Sequence, residues 1–576
     1  MCRIAGIFDQ TSKTLLQDIT SMRDVMHRGG PDDAGLYIDD ALPLAFGHRR
    51  LSLIDLSSSG HQPMHDLEGQ LQLIFNGEIY NFKELKAELI IKGYKFKTQS
   101  DTEVILKAYQ AWGTNCFSRF NGMFAFALFD KIKSIVLLAR DHAGIKPLYY
   151  SLVNGKLIFG SEIRAFKTLN PQWPANENWK NIFLAFGHLP EPVTTLKNVQ
   201  PLPKGSFGIF DLQTLKLDIK VFFKYDFSVH TKTLAEAKKI IHEKLIGAVE
   251  RHLISDAPIG LFLSGGVDSS LLTMLSQPVL KDRLHTLSII FEEQEFSEKK
   301  FQDIIIKKTR ARHQSFTVTK KEFENSLDDI LLAMDQPSTD GVNSYFISKY
   351  AHEAGLKAVL SGLGGDELFG GYMSFATFNN FKLIKPFVSL ITPTAGIISD
   401  KYKKLTYLNL NGSIGYYLSI RGILNLDEIS ATTGASYSKI IEQLNSLNAF
   451  YPCDIKDTWN LASWIELNMY MQNQLLKDSD CMSMWHGLEI RVPFLDKDIV
   501  NATTTVSSSV KKNKLGKFLL IESFKNELPD EIWNRKRQGF TFPFAKWITN
   551  DPGILKNVHW SKNWAIKILN RFNEKI

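Results

Sequence analysis

The sequence predicts an α+β first third, followed by an α/β region built on a parallel sheet and closing in helices. Three observations predict it. Short apolar runs at residues 4–8, 71–75, 123–129, 134–139 and 156–159 are punctuated by Gly, Asn and Asp. Helical patterns at 82–92 and 102–112 lie between them. Further on, an apolar strand, a turn and a helix recur around residues 259–263, 284–291 and 357–360, the signature of a parallel sheet. From about Phe375 the pattern is mostly helical.

In chain order, a last strand-rich piece at 201–227 closes the first region. Residues 228–233 read as a polar connector, so the division falls as 2–227 and 234–576. Just past it Ile241, Leu245, Val249 and Leu253 recur every four residues, an amphipathic helix. No repeat or low-complexity segment is present. The apolar stretch 383–398 is broken by Lys385, Pro386 and Pro393 and is too short to span a membrane. It is expected to be a buried helical segment with a turn.

Composition narrows the function classes. Of 576 residues, 44% are hydrophobic and 22% charged, which excludes disordered, collagen-like and coiled-coil chains. The net charge of +7 suits acidic small substrates and is too dilute for nucleic acid. Cys2, Cys116, Cys453 and Cys481 form no CxxC pair and no zinc spacing. With no signal peptide visible, a reduced, cytoplasmic protein is expected.

Two constellations carry chemistry. The chain begins Met1-Cys2-Arg3-Ile4-Ala5-Gly6, and removal of Met1 would leave Cys2 with a thiol nucleophile and an α-amine base on one residue. Asn76-Gly77 reads as a turn closing the strand 71–75 and offers a side-chain amide beside a free backbone N–H, which could form an oxyanion hole for acyl transfer. Arg50 suits a carboxylate, and Glu78 and Asp101 suit an ammonium. Together they describe a pocket for an α-amino acid whose side-chain amide meets a thiolate. The second constellation is Leu263-Ser264-Gly265-Gly266-Val267-Asp268-Ser269-Ser270. An apolar strand runs into a glycine turn and a helix, a cradle for pyrophosphate. Asp268 would be repelled by phosphate unless a divalent cation lay between, so it reads as a magnesium ligand.

The series Met1-Cys2-Arg3-Ile4, Arg50-Leu51-Ser52, Asn76-Gly77-Glu78-Ile79-Tyr80-Asn81 and Ser100-Asp101-Thr102-Glu103 resembles the class II glutamine amidotransferases. The turn at 264–270 resembles the loop of enzymes that cleave ATP between the α- and β-phosphates. Ser361-Gly362-Leu363-Gly364-Gly365-Asp366, Asp480-Cys481-Met482, Glu489-Ile490-Arg491 and Arg535-Lys536-Arg537-Gln538-Gly539-Phe540 extend that likeness. Together the two halves resemble the glutamine-hydrolysing asparagine synthetases. The resemblance implies an N-terminal-nucleophile αββα sandwich joined to an ATP-pyrophosphatase domain with a helical C-terminal part. It implies Cys2 as nucleophile, Asn76 and Gly77 as oxyanion hole, and Arg50, Asn76, Glu78 and Asp101 around glutamine. It implies Leu263, Ser264, Gly265, Gly266, Asp268, Ser269, Ser270, Ile290, Ser361 and Gly362 around ATP, and Mg2+ on Asp268 and Asp366. The implied partners are small molecules: glutamine, ATP and aspartate or another carboxylate, with no nucleic acid and no membrane. A homodimer is left open.

Two positions depart from the family pattern. Leu363 stands where an acidic residue is usual. Arg537 stands where a catalytic lysine is usual, with Lys536 one residue earlier, so that role is open between the two. The same chemistry on another carboxylate, such as a sugar acid of the cell envelope, and a non-catalytic glutamine-binding relative are the alternative readings.

Overall fold

A computed structural model describes residues 2–293, 298–388, 403–513, 516–535, 542–548 and 558–575. Two antiparallel six-stranded sheets occupy the first 221 residues. One has the order β10-β8-β9-β1-β3-β2, from β1 (Arg3–Phe8), β2 (Asp33–Ile38), β3 (Leu44–Arg50), β8 (Tyr149–Val153), β9 (Lys156–Gly160) and β10 (Gln200–Pro201). The other has the order β12-β11-β7-β6-β5-β4, from β4 (Met64–His65), β5 (Leu71–Ile79), β6 (Gly122–Asp130), β7 (Ile135–Arg140), β11 (Ser206–Asp211) and β12 (Lys216–Val221).

The side-chain alternation of β1 shows how the layers stack. Ile4 and Phe8 meet Ile74, Ala125 and Phe129 of the facing sheet. Ala5 and Ile7 point the other way, onto the helices Leu15–Asp24 and Ile163–Leu169. On the outside of the second sheet, Leu73, Phe75 and Phe126 pack under the helices Phe82–Ile91 and Asp101–Trp112. The result is the expected four-layer αββα sandwich. Strands covered on both faces bury every residue, which is why β1 and β6 read as continuous apolar runs.

The third sheet is parallel, with the order β15-β14-β13-β16-β17, from β13 (Ile259–Phe262), β14 (His285–Phe291), β15 (Arg312–Val318), β16 (Ala358–Leu360) and β17 (Glu489–Arg491). From β13 the chain builds outward first to β14 and β15, then crosses to β16 and β17 on the other side. The carboxyl ends of β13 and β16 therefore flank a topological switch point, where ligands of open α/β sheets bind. The connector is docked: His230 and Thr231 donate to the Thr505 carbonyl at 2.9 and 3.3 Å. The long helical run from Thr458 to Trp485 is wound wider over Glu466–Leu475.

The structure corrects two expectations. Asn76-Gly77 is not a turn at a strand end, because β5 runs on to Ile79 and Gly77 pairs with Phe124 inside the sheet. In the segment 383–398, Leu383 is 74% exposed rather than buried, and residues 389–398 lie outside the described residues. The strands β2, β3, β8, β15 and β17 carry no clear period in the sequence; β17 is three residues long and is held in the sheet by β16.

Gly77 is a packing requirement. Its φ is +149°, and a Cβ there would fall 2.0 Å from the Met123 carbonyl oxygen. Gly77→Ala is therefore expected to cost about 2–4 kcal/mol, adding backbone strain to overpacking, and to lower the melting temperature in a calorimetric scan. An unchanged melting temperature would show that β6 yields freely at this contact.

Candidate functional site

The thiol site lies where β1 begins beside β5. The Cys2 nitrogen donates to Asn76 Oδ1 at 3.2 Å. Asn76 is fully buried, and among the described residues its Nδ2 has no hydrogen-bond partner. A donor in that position is free for an oxygen brought by a substrate. Burial pushes the Cys2 thiol up to about 11. The Leu51 amide and the Arg50 charge act against that rise, and the Glu78 charge adds to it. A thiol raised in this way would need a base to act as a nucleophile.

The residues around Cys2 are tied to the fold. Arg50 donates to the carbonyls of Ser57 at 2.9 Å and Asp55 at 2.5 Å, fixing the loop beyond β3. Asp101 opens its helix and accepts from the Ile79 amide at 2.9 Å, and burial raises its carboxyl to about 6. Glu78 is raised well above the usual range by burial, opposed by Arg491 at 3.2 Å. Sequence reasoning did not foresee that partner. Arg491, fully buried at the end of β17, also binds Glu489 at 2.5 Å and donates to the carbonyls of His252 and Ile254 at 2.8 and 2.6 Å. Its own carbonyl accepts from the Ser361 amide at 2.8 Å, in the loop after β16.

That loop and the one after β13 enclose a cavity of about 440 Å3, the size range of nucleotide pockets (about 300–1,000 Å3). Leu263, Ser264, Gly266, Asp268, Ser269, Ser361, Gly362 and Leu363 line it. Ile290 does not, whereas Leu287, Ser288 and Ile289 before it do. Gly265 and Ser270 also stand behind the lining. Gly265 supplies the turn with φ +83°, and its carbonyl accepts from Arg535 at 3.1 Å. Ser264 and Ser269 share a hydroxyl contact of 2.9 Å that sets the loop before any ligand arrives.

The cation at this site was missed in the sequence. Lys517 Nζ lies 2.6 Å from Asp268 Oδ2 and 2.5 Å from Asp366 Oδ1, joining the two carboxylates expected to hold magnesium. Burial alone would lower its pKa, but the two carboxylates raise it. Lys517 has φ +48°, a strained setting for a lysine, and no sequence motif singles it out. Gly371 makes the close approach workable, since a Cβ there would sit 1.5 Å from Asp366 Oδ1. Among the described residues no group of three or more His, Cys, Asp or Glu gathers as a metal site. Two carboxylates beside a phosphate cradle nonetheless fit Mg2+, which takes one or two carboxylates and completes its shell with phosphate oxygens and water. Lys536 and Arg537 lie outside the described residues.

Between the two sites runs a band of buried charge. Arg3 pairs with Glu162 at 2.6 Å and Asp480 at 3.0 Å, and Lys146 reaches Asp480 at 3.1 Å. A small cavity of about 40 Å3 lies here. It is lined by Arg3, Arg140, Lys477 and Asp478, and Asp478 also lines the nucleotide-sized cavity.

Comparison with known proteins agrees with both halves. Residues 1–222 match the glutamine amidotransferase domain, and residues 241–559 match asparagine synthase. Asparagine synthetase [glutamine-hydrolyzing] 1 of Bacillus subtilis is 31% identical over 96% of this chain and 88% of its own. Asparagine synthetase [glutamine-hydrolyzing] 3 of the same organism is 30% identical over 98% and 89%. Fold and site define a glutamine-dependent amide ligase. The chain belongs to the family of glutamine-hydrolysing asparagine synthetases.

Arg491→Met would leave Glu78 and Glu489 buried without their cation. A loss of about 3–5 kcal/mol is expected in urea denaturation, since breaking a buried pair exposes the remaining charge to its full desolvation cost. A loss below about 1 kcal/mol would mean that water solvates the pair.

Proposed function

We propose that the protein makes asparagine from aspartate, glutamine and ATP in the cytoplasm, with residues 2–227 as glutaminase and 234–576 as ligase. The observation that supports it most strongly is Arg491. One residue touches Glu78 of the thiol site with its side chain and holds Ser361 of the nucleotide site with its backbone. Two different chemistries therefore share one rigid unit.

In this reading the Cys2 thiol, deprotonated by its own α-amine, attacks the side-chain carbonyl of glutamine. Asn76 Nδ2 and the Gly77 amide stabilise the oxyanion, ammonia leaves with a proton from the amine, and water releases glutamate. Arg50 and Glu78 with Asp101 orient the α-carboxylate and α-ammonium. In the second site the aspartate side-chain carboxylate attacks the α-phosphorus of ATP. A P–O bond forms, pyrophosphate departs into the Ser264–Ser270 loop, and an acyl-adenylate remains. Asp268 and Asp366 would hold Mg2+, which when bound offsets phosphate charge. Lys517 and Arg535, both in the cavity wall, add positive charge where the pyrophosphate charge grows.

Ammonia then crosses inside the protein, which prevents its conversion to non-nucleophilic ammonium. The small cavity that shares Asp478 with the nucleotide site supports such a route. Attack on the acyl carbon forms the C–N bond and expels AMP. All four cysteines are free, in keeping with a reducing location.

Two experiments test this. Cys2→Ala is expected to abolish glutamine use and spare asparagine formation from added ammonia, measured by amino-acid analysis. Equal loss of both activities in a folded variant contradicts a two-site enzyme. Asp268→Asn is expected to slow aspartate-dependent pyrophosphate release roughly a hundredfold to a thousandfold while glutamine hydrolysis persists. Unchanged release would remove Asp268 from the chemistry.

A further inference from the structure

A carboxylate, Glu298, stands in the wall of the nucleotide-sized cavity, where the ligand to be bound is itself an anion. It is 6% exposed, and it is not one of the two carboxylates that fit Mg2+. No motif in the sequence singles it out. A carboxylate buried beside an anion site is unfavourable twice over unless it is paired. Its partner is Arg535, whose Nη2 donates to Glu298 Oε1 at 2.8 Å. Burial raises the Glu298 carboxyl, and the guanidinium opposes that rise.

The same Nη2 donates to the Gly265 carbonyl at 3.1 Å. One nitrogen thus links three segments: the glycine turn after β13, the start of the helix Lys299–Thr309, and the chain beyond the short helix Asp530–Trp533. Glu298 sits on an ordered turn, since its carbonyl accepts from the Phe301 and Gln302 amides at 2.9 and 3.2 Å. The guanidinium also lies over the Phe301 ring, 3.7 Å from its centroid. Gly265 packs against that turn; a Cβ there would fall 3.1 Å from Phe301 Cβ and 3.3 Å from the Glu298 carbonyl oxygen. A peptide is planar, so fixing the Gly265 carbonyl also fixes the Gly266 N–H on its other side. That N–H donates to Ser264 Oγ at 3.3 Å, and Ser264 Oγ meets Ser269 Oγ at 2.9 Å. The chain of contacts therefore runs from Glu298 to the hydroxyl pair of the cradle.

We propose that Glu298 is a positioning residue of the pyrophosphate cradle. It acts through Arg535, holding the guanidinium on the Gly265 carbonyl and so setting the Gly265–Gly266 peptide and the Ser264–Ser269 pair that receive pyrophosphate. This rests on the ligase reading above and adds a residue to its second site. The role differs in sign from a plain charge effect. A carboxylate that did nothing but stand in this wall would repel pyrophosphate, and removing its charge would tighten binding. Removing a positioning carboxylate loosens it.

The test measures binding of inorganic pyrophosphate with magnesium to the full chain by calorimetry. Adenosine is the second ligand, since it carries no phosphate to engage the cradle, and aspartate-dependent ATP–pyrophosphate exchange is followed alongside. Glu298→Gln keeps the size of the side chain and an acceptor oxygen. It is expected to weaken pyrophosphate roughly tenfold, the worth of one hydrogen bond to a charged group, and to leave adenosine binding unchanged. Arg535→Met is expected to weaken pyrophosphate at least as much. Adding Glu298→Gln to Arg535→Met is expected to cost nothing further, because Glu298 has then lost the group through which it acts. Glutamine hydrolysis, unchanged throughout, reports that each variant is folded. Three results overturn the proposal: pyrophosphate bound by Glu298→Gln as tightly as by the wild type or more so, adenosine weakened in equal measure, or the two losses multiplying in the double variant. A wild-type chain without aspartate-dependent exchange, with this binding pattern intact, would instead defeat the ligase reading.

Discussion

A fully buried guanidinium governs how this chain is assembled. Arg491 sits at the end of a three-residue strand and meets Glu489, Glu78 and two backbone carbonyls. Burying a charge is costly unless opposite charges and acceptors surround it, and these come from three separate parts of the chain. Glu78 belongs to the antiparallel sandwich, Glu489 to the parallel sheet, and the carbonyls to the end of the helix Leu234–His252. The charge is satisfied only when all three are in place. That requirement fixes the sandwich against the parallel sheet and, through the Ser361 amide, sets the loop that walls the nucleotide cavity.

A second charge problem is solved in the opposite manner. Asp268 and Asp366 come from the first turns of two different helices, Val267–Leu280 and Gly365–Phe369, and would repel each other. Lys517 lies between them, and glycines at 365 and 371 let the backbone approach where any side chain would collide. The carboxylates are therefore held in position by the protein's own charge.

The cavities follow from these two anchors. Arg3 and Asp480 of the buried charge cluster line the small cavity of about 40 Å3, which shares Asp478 with the nucleotide-sized one. Beyond the nucleotide loop the walls come from helices, and there the space widens. Glu466, Tyr470 and Gln474 of the wider-wound segment Glu466–Leu475 line a further cavity of about 500 Å3.

Residues close together in the chain were legible in the sequence alone. The apolar runs of β1, β6 and β13, the amphipathic helix at 234–252 and the Ser-Gly-Gly turn each depend on local spacing, and the structure has them within a residue or two. Cys2 and Asn76-Gly77 were legible as chemistry, although the strand environment of Gly77 was not, since an Asn-Gly pair favours a turn until a neighbouring strand claims it. That Leu287, Ser288 and Ile289 reach the cavity wall and Ile290 does not depends on how the strand meets the neighbouring loops, which local spacing in the sequence leaves undetermined. Lys517 and the Glu78–Arg491 pair were out of reach for a different reason. A buried lysine or arginine looks like a surface one in sequence, and only the folded chain shows which carboxylate 249 or 413 residues away removes the cost of its burial.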